Sequence, residues 1–100
     1  MGQLLVDRRC YEIDDVDLVN LRPVLMQALA ANGSVSLAVH GRDEEEHVLI
    51  AGRRPLSLQF SAGVTASGEV VEQMLDELAL LGSITIVGVH TEPTPPEGVQ

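Results

Sequence analysis

From Ser34 to Ser61, apolar residues fall at every second position in three successive runs: Val35, Leu37 and Val39; Val48 and Ile50; Leu56, Leu58 and Phe60. A period of two is the signature of strands that bury one face and wet the other. The alternate positions in the outer two runs are small and polar: Ser34, Ser36, Ser57, Gln59 and Ser61. The runs are separated by an acidic turn, Gly41 to Glu46, and by Gly52-Arg53-Arg54-Pro55. The expectation is a three-stranded antiparallel meander with an acidic turn at one pole and a basic turn at the other.

The flanking segments extend this sheet. Leu4 to Val6 and Cys10 to Ile13 read as a hairpin turning at Asp7-Arg8-Arg9. Leu18, Leu21, Leu25 and Leu29 fall at helical spacing, with Asp14 or Asp15 as the cap and Asp17 in the first turn, where carboxylates suit the helix dipole. Pro23 lies inside that pattern, which predicts a kink or a break into two helices. Asn32-Gly33 ends it. A second helix is predicted over 68–81, capped by Ser67 and stopped by Gly82, with the stripe Val70, Val71, Met74, Leu75, Leu78 and Leu81. Residues 84–89 read as a last strand, apolar on both faces and therefore central or covered. Two helices covering one greasy sheet face make an α+β two-layer sandwich, an antiparallel sheet in the order ββαβββαβ. A ferredoxin-like βαββαβ core is the alternative. Residues 1–90 form the single domain, and 91–100, with three prolines, a flexible tail.

Function is bounded mainly by exclusion. The 100 residues carry a net charge of −9 and no lysine, which disfavours contact with a phosphate backbone. With one Tyr, one Phe and no Trp, base stacking has little to work with. A basic protein partner fits the charge better. A single cysteine, Cys10, precludes an internal disulfide and suits a reducing cytoplasm, the expected location. No apolar run reaches membrane-spanning length.

Candidate chemistry is sparse. His40 and His47 flank the acidic turn and, with Asp43 and Glu45, could hold a divalent cation; the other reading is a solvated turn, with Asp43, Glu44, Glu45 and Glu46 as an acidic patch. Gly63 to Gly68 has phosphate-loop spacing, but Glu69 stands where a lysine must attract the phosphate. Ser61 and Ser67 have no nucleophile motif around them, Cys10 has no cue for a low pKa, and His90 has no evident partner. No cofactor is expected. The neutral residues Ser34, Ser36, Ser57, Gln59 and Ser61 would together form one poorly charged surface suited to a protein partner or a second copy.

Met1, Gly2 and Leu4, then Asp14-Asp15 followed by Leu18, Leu21, Val24, Leu25 and Leu29, then Gly33-Ser34, resemble a small actinobacterial domain family of unknown function. Pro55, Leu56, Leu58 and Phe60, and the closing Glu92-Pro93, look like the same family's pattern. Some members of that family carry the label "ATP-dependent DNA ligase". Such ligases attach AMP to a motif lysine, and this chain has none. The expected role is a non-catalytic protein–protein interaction module, actinobacterial or phage-encoded, that modulates or inhibits a host protein. The alternative is a small-molecule or metal-binding domain using the His40/His47 hairpin or the open sheet face.

Overall fold

The computed structural model describes residues 1–91, so all of the expected tail except Thr91 lies outside the described residues. The elements are β1 (Gly2–Val6), β2 (Arg9–Ile13), α1 (Asp15–Asn32), β3 (Ser34–His40), β4 (Glu45–Ala51), β5 (Leu56–Gln59), α2 (Gly68–Leu81) and β6 (Ile84–Thr91). This is the ββαβββαβ order, with one six-stranded sheet running β4-β3-β6-β2-β1-β5. The sheet is mixed rather than wholly antiparallel, because β6 enters beside β3 and runs parallel to it, Leu37 opposite Ile84 and His40 opposite Val87.

The meander is broken at its second turn. β3 and β4 pair antiparallel as the alternation predicts, Val35 opposite Ile50 and Leu37 opposite Val48. β5 instead leaves β4 and pairs with β1 at the far edge, Leu58 opposite Leu4 and Leu56 opposite Val6. The redirecting contacts are local. Gly52 N–H donates to Gly33 O at 3.0 Å, Asp7 N–H donates to Pro55 O at 3.0 Å, and the Arg54 guanidinium donates to Asp7 Oδ2 at 3.0 Å. The basic turn is thereby tied to the β1–β2 turn, where Asp7 takes a left-handed φ of 56°.

This connection also shapes the sheet. Five strand spacings across a flat sheet would part β4 and β5 by about 24 Å. Residues 52–55 between them can span at most about 18 Å. The sheet must therefore coil, bringing β4 over the β1–β2 hairpin.

α1 lies against the concave face. Leu18, Val19, Asn20, Leu21, Val24, Leu25 and Ala28 are all buried. They meet Leu4, Tyr11, Ile13, Leu37, Val39, Val48, Ile50, Ile84 and Ile86 in one core. Asp14 Oδ1 caps the helix by accepting from Val16 N–H at 3.1 Å, and Gly33, at φ 79°, closes it with its N–H on Leu29 O. The helix runs unbroken through Pro23. One missing backbone donor costs less than exposing a segment that is buried before and after it. β6 needs a glycine where it crosses the middle of the core face: a Cβ at Gly88 would stand 2.8 Å from Ile13 Cγ1 and 3.1 Å from Val39 Cγ1.

α2 covers the rest of the same face with a half-buried stripe of Val70, Val71, Met74, Leu75 and Leu78. Leu81, placed on that stripe by spacing, is instead 71% exposed, since the last helical turn has no layer beneath it. Ser67 holds the N-cap position without a side-chain capping bond. Its backbone N–H donates to Asn20 Oδ1 at 2.7 Å, while Asn20 Nδ2 donates to Val16 O at 2.7 Å. A buried amide on α1 thus fixes where α2 begins.

Candidate functional site

Among the described residues, two surfaces stand out once the core is assembled. The first is a cavity of about 430 Å³ at the end of the sheet where β3 and β6 finish, lined by Tyr11, Val39, Glu46, Gly88 and His90 with the Gly41–Glu44 turn as its rim. Coiling makes it: Glu46 on the edge strand β4 reaches Tyr11 on β2, two strands past its own neighbour. The Tyr11 hydroxyl donates to Glu46 Oε2. His90 Nδ1 lies 3.3 Å from Glu46 Oε1, and Arg9 Nη1 lies 3.6 Å from Oε2. The rings of Tyr11 and His90 pack with centroids 5.1 Å apart. Burial pushes the Tyr11 hydroxyl up to about 12, helped by Glu46 and opposed by Arg9. Tyr11 is thereby held protonated as a donor, and Glu46 is engaged by three partners on β2 and β6. The chemistry here is that of a clasp closing the coil.

Sequence reasoning missed this cluster. It placed Glu46 in a solvated acidic run and gave His90 no partner. The acidic patch is in fact divided: Asp43 and Glu44 are exposed in the turn, while Glu45 and Glu46 belong to β4 and point to opposite faces. Only the period-two alternation continuing back from Val48 could have put Glu46 on the core side.

The metal set is also corrected. His40 Nε2 lies 2.7 Å from Glu45 Oε1 and His47 Nε2 lies 3.5 Å from Glu45 Oε2, on the outer face. Asp43 stays in the turn. The two imidazoles share one exposed carboxylate, and among the described residues no group of three or more His, Cys, Asp or Glu is placed to hold a metal ion.

The second surface is the outer face of the sheet, which neither helix covers. The predicted neutral cluster does not form there, because β3 and β5 lie four strand positions apart. Ser34 and Ser36 sit on β3, Ser57 and Gln59 on β5, and Ser61 Oγ donates to Asp15 Oδ2 at 2.9 Å beside the start of α1. What occupies the middle of the face is β6. It is central, as expected, but no described residue covers it: Val87 is 71% and Val89 49% exposed, with Leu49 on β4 at 69%. The outward positions of β3 and β6 carry no Asp, Glu, Lys or Arg; they are Ser34, Ser36, Ala38 and His40, and Thr85, Val87, Val89 and Thr91.

No helix among the described residues is long and apolar enough to cross a membrane. No protein-family model, curated protein or solved structure matches this chain.

Proposed function

We propose that this chain is a non-catalytic protein–protein interaction module whose docking surface is the outer sheet face centred on β6. One observation carries the reading: a chain of net charge −9 leaves its central strand exposed, with Val87 and Val89 71% and 49% exposed, no charged residue beside them on β3, and Glu12 on β2 as the carboxylate opposite Val89. Solvated strand faces ordinarily carry charge, and a neutral, partly apolar face is what a protein interface requires at its centre. A modulating or inhibitory effect on a host protein would be exerted through this face. Its test is the variant Val87→Arg, assayed for every association the wild-type chain makes, with itself or with a protein captured from host extract. A folded variant that keeps all of those associations would rule the face out.

A second reading rests on the Tyr11–Glu46–His90 cavity. About 430 Å³ with convergent polar groups is the size and character of a small-molecule site. A ligand held there raises the melting temperature in a thermal-shift screen, and Glu46→Gln removes the rise.

A further inference from the structure

We infer that the partner of the outer face is a second copy of this chain, stacked sheet on sheet across β6. The inference rests on the docking reading above and adds the identity of the occupant. Read outward, β6 presents Thr85, Val87, Val89 and Thr91. This series is the same from either end. A two-fold contact requires that residue i meet j while j meets i. Two antiparallel copies of β6 satisfy this with like chemistry throughout: Val87 lies on Val89, and Thr85 on Thr91.

Charge selects the same occupant. Two chains of −9 each repel over most of their surfaces. α2 presents Glu69, Glu72, Asp76 and Glu77, and the β3–β4 turn presents Asp43 and Glu44. The β3–β6 strip carries no acidic residue, with Glu12, Glu45 and Glu77 only at its margins, and is where two such chains can approach. A basic partner would instead be drawn to the acidic helix and turn.

The sign of the salt dependence separates these cases. Salt screens like-charge repulsion, so a dimer of this chain tightens as ionic strength rises; a complex with a basic protein weakens. The size of the contact sets its strength. β3, β6 and β2 span about 14 Å across and about 26 Å along β6. That is smaller than a standard stable interface, so the dimer is a weak one that forms at high concentration. Glu12, opposite Val89 on β2, is a carboxylate beside the crest, and neutralising it removes part of the residual repulsion.

Light scattering of the full 100-residue chain, from low micromolar to millimolar and at low and high salt, tests the inference. The expected result is a monomer–dimer equilibrium that tightens severalfold at high salt, tightens again in Glu12→Gln, and is abolished in Val87→Arg with the circular dichroism unchanged. Val89→Arg serves as the second variant, since both positions are exposed enough to accept a charge without unfolding. A chain that stays monomeric at millimolar concentration in high salt, a dimer that weakens with salt, or a dimer that survives both arginines overturns the inference. If the chain is monomeric but Val87→Arg still loses a captured protein, only the identity of the occupant fails. If Val87→Arg loses nothing, the docking face fails with it.

Discussion

Tyr11→Phe removes one atom and tests the clasp that holds β4 over the hairpin. The ring is fully buried and stays packed, so the change deletes the hydroxyl's bond to Glu46 and little else. A hydrogen bond to a charged group contributes about 1.5–3 kcal/mol. Glu46 keeps Arg9 and His90 and is 31% exposed, so water replaces part of the loss and the lower end applies, about 1.5 kcal/mol. For a domain of this size that lowers the melting temperature by about 6–12 °C.

The pH dependence provides an independent reading. The hydroxyl's pKa is raised from 10.0 to about 12 in the folded chain. The unfolded chain therefore releases the proton first, and stability is full below pH 10 and lost as pH rises through about 12. With one Tyr and no Trp in the chain, the near-ultraviolet absorbance of tyrosinate reports Tyr11 alone. A midpoint near 10 in the folded protein, or a Tyr11→Phe variant that melts with the wild type, would refute the clasp. Glu46→Gln lowers the midpoint, but burial keeps it above 10.

Three other outcomes follow from the packing. Leu25→Ala, at 1% exposure in the core helix, destabilises by about 3–5 kcal/mol, whereas Leu58→Ala on the half-buried edge strand costs about half as much in the same denaturant titration. Asn20→Leu strands the Ser67 N–H and leaves α2 without its anchor, costing about 2 kcal/mol and speeding amide exchange at the start of α2 before elsewhere. Neutralising Asp43 and Glu44 leaves the melting temperature unchanged or raised, while extending the change to Glu46 lowers it by several degrees; equal effects would return Glu46 to the solvated turn.

Local signals carried most of the elements. Period-two alternation placed β3 and β4, helical spacing placed α1 and α2, and Gly82 marked the end of α2. The partners of β5 and β6 were not legible, because Leu-Ser-Leu-Gln suits any antiparallel neighbour with the same alternation. The choice between β4 and β1 rests on Asp7, Arg54 and Pro55, whose contacts join positions far apart in sequence. His90 and Glu46 were invisible for the same reason: a pairing across 44 residues leaves no local trace.

The coil links both candidate surfaces to that one decision at Gly52–Pro55. Had β5 stayed beside β4, the short connection would have closed a flat meander and left β1 as the sheet edge. By crossing to β1, β5 forces β4 to arch over the hairpin, and Glu46 comes within reach of Arg9, Tyr11 and His90 on the concave side. The same curvature lifts the middle of the sheet outward on the convex side, where β6, flanked by β3 and β2, becomes the crest. A crest can be approached by a second sheet without steric conflict from the helices, which both lie beneath it. The polar clasp and the bare valines are therefore two faces of one distortion. Because the short 52–55 connection imposes the curvature whatever happens to the clasp, Tyr11→Phe should cost stability while leaving docking on β6 intact in the folded protein.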